Sequence, residues 1–352
     1  MLFDVPFLPD SNYIRFLDEH RKHLNSVYFG LYRTEIMDAR HRFRFRAPDD
    51  QIRALRAVTG VSKFALVNSR MHHPEGYRDT EKIGLVAEIL LRFAKNDVLD
   101  GIVFGDAYYL QALSDAAPDL AQGLQAVPSI NFMIDSADKL RTILEFIATT
   151  HFRPPEKITL DRSLNRNREG LIDVVQWCRR ERPQLKIALL GNEGCLYQCP
   201  FKPAHDALIA CSYMSMNVDS NGINQALGCI RILRKNPEKL FQSPFIRPED
   251  VFRYEGLVDI VKLCGRTLGR GFLEKVVQAY IDGHYSGNLL DLLDAVNWMT
   301  DEFYLSNDQL PENFFEQMSH CSDTCQRCNR CREFRNAHMY ALEIGFKDFR
   351  NR

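Results

Sequence analysis

The chain has 352 residues, 45% of them aliphatic, aromatic or cysteine, and its 45 basic and 46 acidic residues leave a formal net charge of −1. That balance excludes the bulk basic character of a nucleic-acid reader, and no run approaches the roughly 20 apolar residues that cross a bilayer. Met1 to Asp10 lacks the basic start and apolar run of a secretory signal, so a cytoplasmic location without membrane contact is expected. One local departure is Arg40-His41-Arg42-Phe43-Arg44-Phe45-Arg46, which interleaves basic and aromatic residues. It reads as an amphipathic edge or as a phosphate-and-base contact. Ten cysteines in a reducing compartment ask for an explanation other than disulfides.

Taken in order, Asp10-Ser11 caps a helix through Ile14, Leu17 and Leu24, and Val27 to Leu31 reads as the first buried strand. Pro48-Asp49-Asp50 opens a short helix, Phe64 to Val67 is the second strand, and Thr80 to Phe93 has a helical period. Gly101 to Phe104 is the third strand, Val127 to Phe132 the fourth, and Ser136 caps the helix that follows. Lys157 to Leu160 is the fifth, leading into a helix from about Arg168 to Arg180 in which Cys178 falls on the apolar face as core. Lys186 to Leu190 is the sixth, Ser243 to Ile246 the seventh and Val258 to Leu263 the eighth, with a helix from Phe272 to Ile281 behind it. Eight strands alternating with helices predict an α/β fold, a (β/α)8 TIM-like barrel over residues 1–286. Residues 287–352 are expected to form a helical extension around Leu289 to Trp298 and a cysteine-rich tail.

In such barrels the chemistry lies at the C-terminal ends of the strands. The residues just past them are Arg33, Asn68, Ser69, Arg70, Asp106, Asp161, Arg162, Asn192, Glu193, Arg247, Gly265 and Arg266. A ring so rich in arginine suits an anionic substrate held by planar forks, and it equally suits ion pairs that tie loops together. Asn68, Arg70, Asn192, Arg247 and Lys262 are the expected substrate contacts; Asp161, Arg162, Glu193, His205 and Arg266 are the expected catalytic groups.

The sixth strand runs into Gly191-Asn192-Glu193-Gly194-Cys195 and Cys199-Pro200, a turning loop that presents two thiols, followed by Cys211 and Cys229. Structural zinc sites show two tight pairs and this set has one, whereas an iron-sulfur cluster accepts widely spaced thiolates. A [4Fe–4S] cluster on Cys195, Cys199, Cys211 and Cys229 is therefore expected. His205 is the alternative to Cys211 as ligand, or a general acid beside the cluster. In the tail Cys321, Cys325, Cys328 and Cys331 crowd four thiols together, which calls for a cation: a second cluster, or zinc. The first three also match the Cys-x-x-x-Cys-x-x-Cys spacing of radical S-adenosylmethionine enzymes, in which the run follows the first barrel strand rather than the last.

Three elements resemble the collagenase-like peptidase family, family U32, whose members include oxygen-independent hydroxylases of ubiquinone synthesis and of RNA. Leu160-Asp161-Arg162-Ser163-Leu164 is similar to the family's strand-end Leu-Ser-Arg-Glu-Leu, and Gly194-Cys195 to its cysteine-bearing loop. Val261-Lys262-Leu263-Cys264-Gly265-Arg266, followed by a helix ending near Tyr280, is similar to its Leu-Lys-Ile-Glu-Gly-Arg, with Cys264 where the family has glutamate. The resemblance implies a barrel, a [4Fe–4S] cluster near the strand ends and, for several members, hydroxylation with prephenate as oxygen donor. The expected activity is an iron-sulfur-dependent, hydroxylation-type modification of a small molecule or peptide with an anionic group. A metal-stabilised electron-transfer protein working with a protein partner and a collagenase-like protease are the alternatives. The protease reading finds no Ser-His-Asp, Cys-His or His-Glu-x-x-His set at matching strand ends.

Overall fold

The computed structural model describes residues 1–31, 48–214, 216, 218–319 and 328–342. Arg33, the stretch Arg40 to Arg46, Cys321 and Cys325 lie outside the described residues.

Parallel pairing joins β1 (Leu2–Pro6), β2 (Leu24–Gly30), β3 (Ser62–Val67), β4 (Gly101–Phe104), β5 (Gln125–Pro128), β6 (Lys157–Thr159), β7 (Lys186–Leu190) and β8 (Ile260–Lys262). Their order in the sheet is β5-β4-β3-β2-β1-β8-β7-β6. The segment leading into β6 meets β5 through a parallel bridge between Gln125 and Arg153. There Ala126 N donates to Arg153 O at 3.1 Å and Arg153 N to Leu124 O at 2.9 Å. The sheet is thus nearly closed, as the predicted (β/α)8 barrel.

One of the eight predicted strands is not a strand, and one strand of the sheet was not predicted. Ser243 to Ile246 is no strand; its backbone is buried but satisfied outside any ladder. Pro244 lacks a donor, its carbonyl accepts from Asn165 Nδ2 at 2.6 Å, and Ser243 O accepts from Arg166 Nη2 at 2.6 Å. The missing member is β1, which sits between β2 and β8 with Asp4 opposite Ser26 and Lys262. An aspartate in mid-strand hides β1 from a hydrophobic-pattern reading, because that carboxylate points into the barrel. The predicted fourth strand is also shorter: β5 stops at Pro128 and the chain turns through a 3-10 helix at Ile130–Phe132.

The helices in chain order are α1 (Ser11–Glu19), α2 (Pro48–Arg56), α3 (Thr80–Ala94), α4 (Ala107–Ala116), α5 (Pro118–Gly123), α6 (Ala137–Ala148), α7 (Arg168–Glu181), α8 (Lys202–Tyr213), α9 (Ser220–Leu227), α10 (Cys229–Lys235) and α11 (Arg270–Asp282). Several start on the side-chain caps that the sequence advertises: Asp10 accepts from Asn12 N and Tyr13 N at 3.0 Å each, and Ser136 from Lys139 N at 3.4 Å. Such caps satisfy backbone donors that have no partner inside the helix. Their apolar faces cover the outward residues of the strands, among them Val5, Phe29, Ala65, Ile102, Ile158 and Leu189, in one continuous core. Cys178 is fully buried in that core, as expected.

After α11 the expected helical extension is instead two 3-10 turns, Leu289–Leu292 and Asn297–Asp301, and an antiparallel pair of β9 (Phe303–Leu305) with β10 (Met339–Ala341). Asn288 interrupts helical hydrogen bonding: its Oδ1 accepts from Leu290 N at 3.3 Å and Leu305 N at 2.9 Å. Two further helices, α12 (Phe314–Ser319) and α13 (Arg330–His338), place Phe314 and Phe334 against Phe241 in the same core. Among the described residues no helix is long and apolar enough to cross a membrane.

Candidate active site at the barrel mouth

Strand alternation turns Asp4, Ser26, Tyr28, Phe64, Leu66, Val103, Val127, Lys157 and Lys262 inward, away from the helices. The apolar members form a small cluster of their own. The polar members are organised around Asp4. Its Oδ2 takes Lys157 Nζ at 2.6 Å, and its Oδ1 accepts from Ser26 Oγ at 2.6 Å and Asn25 Nδ2 at 2.8 Å. Burial by itself would raise the Asp4 carboxyl, but Lys157 and then Lys262 hold it below its ordinary value. Lys157 Nζ also lies 4.3 Å from the centre of the Phe64 ring.

Lys262 enters the same space from β8, with Nζ 4.1 Å from the centre of the Tyr28 ring. Burial pushes its ammonium down to about 8; Asp4 and Cys264 oppose that shift, while Lys157 and Arg266 add to it.

Above this layer the loops that follow the strands converge. Gly105, after β4, has no room for a Cβ, which would stand 2.4 Å from Asn68 O; this close approach holds the Asn68–Ser69 backbone against β4. Asn131 Nδ2 donates to Asn68 O at 3.4 Å, so the 3-10 turn after β5 helps position the loop after β3. Past β6, Asp161 caps the turn Arg162–Asn165 by accepting from Ser163 N at 2.8 Å. Arg162 forms a buried ion pair with Glu193 from the loop after β7. Burial would lower the Arg162 guanidinium, but Glu193, then Cys195, Asp161 and Asp206, raise it above its ordinary value, so it is a fixed positive charge among acidic groups.

Helix α8 closes one side of the mouth. Its Asp206 is ion-paired with Lys202 one turn earlier and lies 3.5 Å from Arg70 Nη1. Lys202 Nζ also reaches Asn131 Oδ1 at 3.3 Å. Ser69, Arg70, Asn131, Asp206, Ile209 and Ala210 line a small, partly open cleft. His205, half-buried, precedes Asp206 on the same helix.

Of the predicted substrate contacts, Arg70 and the backbone beside Asn68 are at this cleft. Asn192 is fully buried and bonded on every side: Oδ1 accepts from Cys264 N at 2.7 Å, and Nδ2 donates to Cys264 O at 3.0 Å and Leu292 O at 2.9 Å. It fixes the end of β7 to the end of β8. Arg247 gives both arms of its fork to Asp250, at 2.7 and 3.0 Å, and packs on Phe314. Arg266 is buried directly after Gly265, whose φ of 119° and closeness to Phe272 only glycine accommodates.

The four barrel thiols are all half-buried on the cap made by the loop after β7 and by α8 to α10. Gly194 lets that loop pass flush against Val296, where a Cβ would stand 2.2 Å from Cγ2. Burial pushes the Cys229 thiol up and Cys199, 30 positions earlier in sequence, raises it further. Cys195 belongs to the surroundings of Arg162. Among the described residues no three His, Cys, Asp or Glu side chains already converge on one point. In donor type alone, half-buried Cys195, Cys199, Cys211 and Cys229 are the thiols that an iron-sulfur cluster takes as ligands. Cys328 and Cys331 flank the start of α13, both half-buried.

Sequence reasoning missed Asp4, Lys157, Lys202 and Asp206. The Lys202 and Asp206 spacing on one helix face was a usable signal. Asp4 with Lys157 was not, since nothing local relates residues so far apart.

The fold and site define a parallel barrel protein whose polar, thiol-bearing groups collect at the C-terminal mouth. No family model matches the chain. A curated relative from Methanocaldococcus jannaschii, described as an uncharacterized protease, is 33% identical over 241 residues, covering 68% of this chain and 66% of the relative, just under two thirds of its length. A solved structure described as a U32 peptidase aligns with a TM-score of 0.46 at 17% identity, covering 74% of this chain and 92% of that one. Similarity to an archaeal protein described as a protease agrees with the resemblance to the collagenase-like peptidases that the sequence motifs carry.

Proposed function

We propose that this chain is an iron-sulfur enzyme that carries out an oxygen-independent, hydroxylation-type modification of a small molecule or peptide bearing an anionic group. The observation that supports the reading is the chain after β7: Cys195, Cys199, Cys211 and Cys229 are half-buried in it, and its helix α8 lines a cleft that also contains Arg70. These four thiols would hold a [4Fe–4S] cluster, which when bound supplies electron or oxygen-atom transfer to the substrate.

The chain's own residues bind and orient. Arg70 contacts Asp206 at 3.5 Å, a long contact that leaves the rest of its fork for a substrate carboxylate or phosphate in the cleft. Lys202 pairs with Asp206 and bonds Asn131, two of the cleft's lining residues. Arg162, locked to Glu193, keeps a permanent cation close to Cys195. His205, the residue before Asp206 on α8, would move a proton. The tail thiols Cys321, Cys325, Cys328 and Cys331 are proposed as a separate metal site, through which a protein partner would deliver electrons.

Protein purified without air should contain about four iron and four sulfide per cluster. Cys199→Ser should lose the barrel cluster's share, and Cys178→Ala should lose none. A colourless protein with stoichiometric zinc, or unchanged iron in Cys199→Ser, would overturn the reading. The name of the archaeal relative favours a second reading, peptide hydrolysis. Cleavage of a gelatin-derived peptide by iron-free protein would carry it.

A further inference from the structure

We propose that Lys262 is a nucleophilic amine that condenses with the carbonyl of a small compound carrying a carboxylate, the 2-oxo acids being the simplest class. The inference deepens the anionic-substrate reading above, but it is carried by a different set of side chains.

Lys262 faces the barrel interior near the C-terminal end of β8, half-buried, on the same strand face as Cys264. Among the described residues no hydrogen bond or ion pair within 4.0 Å holds its Nζ; the contact it makes is with the Tyr28 ring at 4.1 Å. The nearest carboxylate, Asp4, is already bonded to Lys157, Ser26 and Asn25. A lysine turned into a barrel with no carboxylate in contact is poorly placed to serve stability, because a charge drawn out of water needs a close partner to offset the loss. Its environment instead favours the neutral amine, with burial and the Lys157 and Arg266 charges all acting in that direction. An ammonium pushed down to about 8 is neutral in roughly a tenth of molecules at pH 7, far more than an exposed lysine.

The same neighbours select the ligand. Lys157 and Arg266 make the surroundings of Nζ positive, so a carbonyl compound with a carboxylate is attracted where an uncharged ketone is not. In the step itself the amine lone pair forms a bond to the carbonyl carbon and the carbonyl oxygen takes up a proton. The resulting carbinolamine expels that oxygen as water, leaving an imine. Amine and carbonyl become imine and water, with no oxidant or reductant needed.

The test uses the full chain as purified, pyruvate as probe and sodium cyanoborohydride to reduce any imine to a stable amine. The expected product carries one adduct, pyruvate less water plus two hydrogens, on the peptide that contains Lys262. Labelling should fall about tenfold or more in Lys262→Met and be unchanged in Lys275→Met, and acetone should label about tenfold less than pyruvate. An adduct that maps to other lysines, or that persists in Lys262→Met, overturns the proposal; equal labelling by acetone overturns the choice of a carboxylate. If Lys262→Met does not fold, the mapped peptide of the unchanged chain decides. Iron measured on the same samples keeps the two proposals apart: Cys199→Ser retaining its iron sinks the cluster reading and leaves the imine result standing.

Discussion

Lys157 and Lys262 enter one barrel interior from different strands and meet opposite fates. Lys157 is tied to Asp4 and Ser26 and covered by Phe64. Lys262, nearer the mouth, rests on Tyr28 with its nearest carboxylate already taken. The lower level is closed and self-neutralising, as a buried charge must be if it is to be tolerated. The upper level leaves an amine to its surroundings. The difference teaches where the barrel is built for stability and where it is open to chemistry, a division that parallel barrels make between the two ends of their strands.

The largest expected effect attacks the closed level. Asp4→Ala strands the Lys157 ammonium inside the barrel and should cost about 3–5 kcal/mol in urea unfolding. Replacing both by apolar residues, Asp4→Leu with Lys157→Met, should cost much less than the single change; equal costs would show that the pair's geometry matters less than its packing. Acid should reveal the same pair. Because the folded Asp4 carboxyl is held below its ordinary value, its stabilisation is complete above the unfolded value near 3.8 and is lost as pH falls through the folded one.

A smaller effect sharpens the comparison at the open level. With the Lys262 ammonium down at about 8 against an ordinary 10.5, the unfolded chain holds a proton between those values that the folded chain has released. Stability should therefore rise with pH across that window, and Lys262→Met should lack this rise. Unfolding of both proteins at pH 7 and at pH 10 measures it; parallel behaviour would mean that Lys262 is paired after all. The smallest effect serves as control. Arg141→Ala removes an exposed pair with Asp138 on α6 and should change stability by less than about 0.5 kcal/mol.

How far the sequence was legible depended on the reach of each signal. The caps at Asp10 and Ser136 and the core position of Cys178 were legible because a cap or a helical period is complete within a few residues. The barrel was legible as a count of eight, yet one counted strand was wrong. Ser243 to Ile246 has the composition of a buried strand but spends its carbonyls on Asn165, Arg166 and Tyr280 side chains. β1 has an aspartate in its middle and is a strand nonetheless. In the site, Arg162 and Glu193 could be nominated from their places after strands, but not paired. Asn192 could be nominated too, but not recognised as the clasp between β7 and β8.

By itself the sequence determined the alternation of strands and helices, the mouth as the place where charged and thiol residues gather, and the helix starts. All of these follow from local periodicity and from the rule that a parallel strand ends in a loop on one face. Only the tertiary structure decided which charges are neutralised. Asp4 and Lys157 are 153 positions apart, and Cys199 comes within electrostatic reach of Cys229 only through the fold. Whether a buried amine is a structural ion or a reactive group depends on the third residue beside it. That residue comes from another strand, set by barrel closure rather than by anything within reach along the chain.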